Sequence, residues 1–194
     1  TNRGSIVTPL KDRIGSQIFT HYPQTIELAR KITDQEAAIS EEDKASIGVP
    51  ELAKDLLEQV AFEARESEFV DAKSGVSARL TISAMENLIA AANLRLIETN
   101  EEKTAIRLVD FMSIIPSITG KIELVYEGEQ EGATEVAKTL IDNAVTTQFE
   151  KLFPQIPNLE KAGVKTPYTD IIDWFDSNDM LELNYTDNDA EFNE

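Results

Sequence analysis

Arg79 is the residue of this chain best placed to do chemistry. It follows the turn Ser74-Gly75-Val76-Ser77-Ala78 and opens a long amphipathic run beginning Leu80-Thr81-Ile82-Ser83-Ala84-Met85. A guanidinium at a helix N-terminus, next to backbone N–H groups that lack intrahelical partners, makes an anion site, and phosphate is the usual anion. An arginine there works against the helix macrodipole unless an anion or carboxylate compensates, which favours a functional role over an incidental one. The sequence holds neither a Gly-rich phosphate loop nor an acidic pair following a strand to hold a metal. If Arg79 reads a nucleotide, this chain carries only part of the site.

The other reactive side chains point to plainer roles. His21 is the single histidine; with no carboxylate motif beside it, it is expected to be packed rather than to act as an acid or base. Glu63, Glu66 and Glu68 surround Arg65, and such alternating charge on a helix is expected to be a solvated face, so no metal site is predicted. Trp174 with Tyr168 and Phe175 is either core or a docking patch, and the residues alone leave both open. Cysteine is absent, which removes disulfides, thiolate metal sites and a cysteine nucleophile, and fits a cytoplasmic location.

Composition narrows the classes further. The 194 residues are 41% hydrophobic, enough for one good core, and carry a net charge of −18. That charge argues against nucleic-acid binding, which needs a basic face, and against anionic membranes. No apolar stretch is long enough to span a bilayer, and no signal-peptide pattern opens the sequence. The acidity is uneven: no lysine or arginine follows Lys165, while Asp170, Asp173, Asp176, Asp179, Glu182 and further carboxylates crowd the end. A block of this kind reads as a solvated tail, or as a docking site for a basic partner.

The elements that must position Arg79 are mostly helices, giving a mainly α bundle. Residues 16–22 have the length and β-branched or aromatic content of one short strand, stopped by Pro23 and orphaned from any partner strand. Helical spacing predicts helices over 25–39, with Ile26, Ala29 and Ile32, and over 50–67, with Leu52, Leu56, Val60 and Ala64, separated by a polar loop over 40–48. The Arg79 helix presents Ile82, Met85, Leu88, Ile89, Ala92 and Leu96 to the core, with Asn93 and Arg95 off that stripe, and ends near Asn100. A short helix starts at 104–111 and is expected to stop at Pro116. Residues 120–132 alternate like a strand, yet their glycines suit an ordered loop equally well. Thr134 is placed to cap a helix running to about Phe153 with Val136, Leu140, Val145, Phe149 and Leu152 buried, and 168–175 is a short aromatic-rich helix.

Two groups of these residues resemble a known family. Pro9-Leu10-Lys11-Asp12-Arg13-Ile14-Gly15 with Thr20-His21-Tyr22-Pro23 resembles the Leu-Leu-Asp-Arg-Phe-Gly segment and following strand of the magnesium-chelatase and MoxR branch of AAA+ ATPases. Ser74-Gly75-Val76-Ser77-Ala78-Arg79 with Ala91-Ala92, and then Ile106-Arg107-Leu108-Val109-Asp110-Phe111, is similar to that branch's lid, in which a Gly-x-Ser-x-Arg turn opens the sensor-two helix. The resemblance covers roughly residues 3–116.

The resemblance implies a division into 1–23 as the end of an α/β core, 24–118 as the helical lid, 119–180 as a helical extension and 181–194 as an acidic tail. It implies that the chain is a C-terminal piece, that ATP and Mg2+ serve the full-length protein, and that this chain alone neither binds them nor hydrolyses ATP. It makes Arg79 the residue reaching the β/γ-phosphate of its own subunit, with Arg13 or Arg3 acting in trans on a neighbour in a ring. Asp12-Arg13-Ile14 stands where the family has Asp-Arg-Phe, and Val7 stands where an arginine often precedes it, which leaves the trans role open between Arg3 and Arg13. The function implied is ATP-driven remodelling of a partner protein or assistance in metal insertion. The competing reading is a non-enzymatic helical adaptor whose acidic tail and Trp174 helix engage a basic partner.

Overall fold

The computed structural model describes residues 12–16, 18–153, 166, 168–177, 187–188 and 192. The architecture is a mainly α helical bundle, and the one sheet among the described residues is a pair of two-residue parallel strands. Helix α1 (Ile26–Glu36) starts where the Thr25 hydroxyl accepts the Leu28 amide at 3.2 Å. Residues 40–48, expected as a loop, hold the short helix α2 (Glu41–Ser46). Ser40 caps it by accepting the Asp43 amide, and Glu41, Glu42 and Asp43 place negative charge in its first turn. Strand β1 (Ile47–Gly48) then leads into α3 (Glu51–Glu66), which begins after an extended Pro50 and buries Leu56, Leu57, Val60, Ala61 and Ala64.

Helix α4 (Leu80–Thr99) is the centre of the bundle. Its buried residues include Leu80, Ala84, Met85, Leu88, Ile89, Ala92 and Leu96, and α1, α3 and both strands pack around it. Fully burying a leucine such as Leu80 or Leu88 stabilises the fold by about 1.5–3 kcal/mol. The helix stops at Asn100, whose φ of 55° is left-handed, with its amide on the Leu96 carbonyl. Strand β2 (Thr104–Ala105) pairs with β1 in the register Ile47 to Thr104 and Gly48 to Ala105.

A 3-10 helix (Leu108–Ile114) follows and runs directly into α5 (Ile115–Thr119). Pro116 therefore opens a helix instead of stopping one, because a first-turn proline forfeits no intrahelical bond. Residues 120–132 are neither a strand nor a loop throughout. Leu124 bridges Val70 in antiparallel fashion, and α6 (Tyr126–Glu131) comes next. Gly128 of α6 lies so close to the chain at Phe69 that an added Cβ would stand 2.5 Å from the Phe69 carbonyl oxygen.

Helix α7 (Ala133–Leu152) begins after Gly132, whose φ of 97° takes the capping place expected for Thr134. It lies antiparallel to α3, with Thr147 hydrogen-bonded to Glu63 and Gln148 to Gln59. Val136, Ala137, Leu140, Ile141 and Ala144 enter the same core as α3 and α4. Phe149 and Leu152, expected inside, remain about half exposed, because the last turn of α7 passes the start of α3 where the layer beneath ends. Helix α8 (Thr169–Ser177) confirms the aromatic-rich segment, and none of its residues is buried.

Two further expectations are corrected. Residues 18–22 form no strand; with no partner among the described residues their backbone groups have no ladder to join, and Ile18 and Phe19 are 85% and 84% exposed. Arg95, placed off the core stripe, is fully enclosed, because α4 is covered on that side by β2 and the 3-10 helix. Its guanidinium binds Asp110 at 2.5 Å and the Ala105 carbonyl at 2.8 Å. Asp110, also fully buried, accepts the Arg107 amide at 2.7 Å as well. The carboxylate thus fixes the 3-10 turn to the end of α4.

Candidate functional site

The turn ahead of Arg79 is built by Asp71. Its carboxylate accepts the Ser74 hydroxyl at 2.7 Å and the Lys73 amide at 2.9 Å, and its carbonyl accepts the Gly75 amide at 3.0 Å. The Ser74 hydroxyl foremost, and then the Lys73 amide, hold the Asp71 carboxyl below the usual range. Gly75, with φ of 70°, supplies the left-handed step that redirects the chain toward α4.

Two more contacts fix the turn from outside. The Val76 amide donates to the Tyr22 phenol oxygen at 3.0 Å, and the Ser77 amide donates to the Lys121 carbonyl at 3.2 Å. Tyr22, the 74–78 turn and residues 120–123 enclose an open, largely polar depression of about 430 Å3. Arg79 stands beside it at the first boundary of α4. It is exposed, and neither a side-chain cap nor an acidic residue occupies the first turn. Among the described residues its guanidinium has no ion pair, while its amide donates to the Ser77 hydroxyl at 3.3 Å and the Leu80 amide to the Ser77 carbonyl at 3.0 Å.

Tyr22 is held from its other side by Arg65, whose guanidinium carbon lies 4.3 Å from the Tyr22 ring centroid and 5.0 Å from that of Phe62. The Arg65 Nε and Nη1 atoms are buried with no hydrogen-bond partner among the described residues. Burial lowers its pKa, against the attraction of Tyr22 and Glu58. Glu58 is 3% exposed and accepts the Thr33 hydroxyl at 2.5 Å, and Thr33 in turn meets the Thr81 hydroxyl at 2.9 Å. Burial pushes the Glu58 carboxyl up, opposed first by the Thr33 and Thr81 hydroxyls and then by Arg65. This chain of contacts ties α1, α3 and α4 together just below the first turn of α4.

The structure thus joins two of the segments singled out in the sequence, Thr20-His21-Tyr22-Pro23 and the Arg79 turn. Arg13 lies in an exposed turn, and no described contact links it to Arg79. Arg3 lies outside the described residues. His21, expected to be packed, is exposed, and among the described residues its Nδ1 meets only the adjacent Tyr22 carbonyl, at 2.9 Å. Sequence reasoning passed over Tyr22 and Arg65 as site residues; the available signal was Phe62 three residues before Arg65, a spacing that lays an aromatic ring beside a cation on one helix face.

Among the described residues no group of three or more His, Cys, Asp or Glu side chains is arranged to hold a metal ion, and no helix is long and apolar enough to cross a membrane. No family model matches this chain, and neither a curated protein nor a solved structure matches it.

Proposed function

We propose that this chain forms the lid and C-terminal extension of a magnesium-chelatase or MoxR-type AAA+ ATPase, a ring-forming machine that uses ATP to remodel a partner protein or assist metal insertion. The observation that carries the reading is the state of Arg79: an exposed guanidinium at the start of a 20-residue helix whose first turn contains no acidic residue and no side-chain cap. Those features leave the exposed Arg79 guanidinium available to phosphate beside the α4 N-terminus, and the Tyr22 and Lys121 contacts hold the turn in place before any ligand arrives.

In this reading Arg79 donates hydrogen bonds to β- and γ-phosphate oxygens and stabilises the charge that spreads over them as the phosphoryl group transfers. A fully placed guanidinium supplies on the order of several kcal/mol there. Arg13, exposed on its turn, would act on the nucleotide of a neighbouring subunit, with Arg3 as the other candidate. The phosphate loop and the carboxylates that hold Mg2+ would come from an α/β core. ATP turnover by the assembled ATPase, with and without Arg79→Ala, tests the reading. A large loss of turnover with an unchanged unfolding midpoint is expected; unaltered turnover would remove Arg79 from the site.

A further inference from the structure

Glu58 is a buried carboxyl whose bonding partners are hydroxyls, and among the described residues it has no ion pair. It accepts from Thr33 of α1, which meets Thr81 in the first turn of α4 at 2.9 Å. With the carboxyl uncharged, each of the three groups has one O–H to give and oxygen lone pairs to accept, so they satisfy one another without a cation. The other charged groups around this part of α3 are engaged elsewhere. Asp34 of α1 pairs with Lys54 at 3.3 Å and acts on Glu58 only by disfavouring its charge, and Arg30 pairs with Glu51 and Asp55. On α7, Thr147 bonds Glu63 while Gln148 and Lys151 bond Gln59.

The cation that acts on Glu58 is Arg65, two turns farther along α3 and on the same face. Long helical side chains extend toward the helix N-terminus, and Arg65 does so, its guanidinium lying over the Phe62 ring one turn back. It stops there, against the Tyr22 ring, with Nε and Nη1 buried and unpartnered among the described residues. An aromatic face attracts a guanidinium less than an ionised carboxylate, with which it forms charge-assisted hydrogen bonds. Arg65 over Tyr22 is therefore the arrangement that an uncharged Glu58 permits. Burial of the carboxyl, which raises its pKa above the ordinary 4.5, agrees with that state.

We propose that Glu58 and Tyr22 compete for the Arg65 guanidinium, so that the charge on Glu58 sets how firmly the turn ahead of Arg79 is held. Uncharged, Glu58 leaves Arg65 on the Tyr22 ring, whose phenol oxygen holds the Val76 amide. Ionised, it is a buried anion in need of a cation. Arg65 then turns its unpartnered N–H groups to the carboxylate, Tyr22 loses its support, and the bond to Val76 loosens. Glu58 is thus a positioning residue: it acts on Arg79 through Arg65 and Tyr22 and touches no ligand. The direction is fixed, with a braced turn at low pH and a looser one as pH rises through the Glu58 titration. That this tunes phosphate binding rests on the nucleotide reading; the coupling of Glu58 to the turn does not.

An NMR titration of the whole chain from about pH 4 to about pH 8 tests the proposal. The Arg65 Nε–H resonance, shifted upfield while it lies over two rings, should move downfield with the same midpoint as the Glu58 carboxyl carbon. The Val76 amide should move with it, and its protection against hydrogen exchange should fall about fivefold, as for the loss of one ordinary hydrogen bond. Asp71 cannot produce this response, since its carboxyl, held below the usual range, is already ionised there. Glu58→Gln still accepts from Thr33 but cannot ionise, so Arg65 and Val76 should keep their low-pH signals throughout. Arg65→Met should raise the Glu58 midpoint and abolish the response of Val76. An Arg65 resonance that stays in place while the Glu58 carboxyl titrates would overturn the proposal. So would a Val76 response that persists in Glu58→Gln, which would assign it to another group such as His21. None of these signals involves nucleotide, and turnover of the Arg79→Ala ATPase judges the phosphate role separately, so failure of one reading is distinct from failure of the other.

Discussion

The phenol oxygen of Tyr22 accepts the backbone amide of Val76 at 3.0 Å across 54 residues of sequence. That bond connects the segment before α1 to the turn that aims Arg79, and Arg65 braces the same ring from the other side. Tyr22→Phe keeps the ring and removes only the acceptor, at an expected cost of about 1 kcal/mol in urea unfolding. Tyr22→Ala should cost more, since Arg65 also loses its aromatic face. Equal effects of the two substitutions would show that the ring contributes nothing beyond its hydroxyl, and an unchanged midpoint in Tyr22→Phe that the hydroxyl contributes nothing.

Arg79→Ala should leave stability within about 0.5 kcal/mol of wild type, as expected for an exposed side chain away from caps and core. In the assembled ATPase it should lower turnover by about a hundredfold or more. Arg79→Lys, which keeps charge and loses the planar fork, should recover only part of that. Parallel losses of stability and turnover would make Arg79 a structural residue.

Arg13 yields to a mixing experiment. An Arg13→Ala subunit, inactive by itself, should regain turnover when mixed with subunits that keep Arg13 but bind no nucleotide, because its own nucleotide then meets a neighbour's intact arginine. No recovery in such mixed rings would remove Arg13 from a trans role.

Glu58 predicts a pH dependence whose sign follows from its burial. Its folded pKa is raised above the ordinary 4.5, so between those two values the folded chain holds a proton that the unfolded chain releases. The folded state binds more protons in that window, and stability falls as pH rises through it. Glu58→Gln, which can still accept from Thr33, should flatten this dependence and be at least as stable as wild type at neutral pH. Superimposable pH profiles of the two proteins would contradict the assignment.

The Arg95 and Asp110 pair is enclosed on all sides. Asp110→Leu alone should cost about 3–5 kcal/mol, because it leaves a buried guanidinium without its carboxylate. Arg95→Met added to it should recover a large part of that loss. The midpoint of chemical unfolding reads both; a double variant less stable than the single would show that Arg95 contributes through its Ala105 contact even without Asp110, and contradict the expected recovery.

The mainly α architecture was legible in the residues. The stripe Leu56, Val60 and Ala64 marked α3, Met85, Leu88, Ala92 and Leu96 marked α4, and the turn Ser74-Gly75-Val76 announced the start of α4. Local spacing and turn chemistry settle such elements because their cause lies within a few residues. Pro116, read as a stop, instead lies in the first turn of α5, where its missing N–H costs no intrahelical bond.

Other features depended on what each element meets. Periodicity separates two faces of a helix, but α4 sits in the middle of the bundle, so Arg95 on its polar edge is as buried as Leu88. Phe149 and Leu152 follow the same apolar spacing as Leu140, yet they stay half exposed because they lie at the start of α3, where the layer beneath runs out. The sequence by itself determined the long helices α1, α3, α4 and α7 and that Arg79 stands at the start of α4, while the short helices α2 and α6 escaped it. Only the tertiary structure decided that Tyr22 and Lys121 hold that opening, because those contacts join residues tens of positions apart, and no local pattern encodes a meeting that the packing of whole helices brings about.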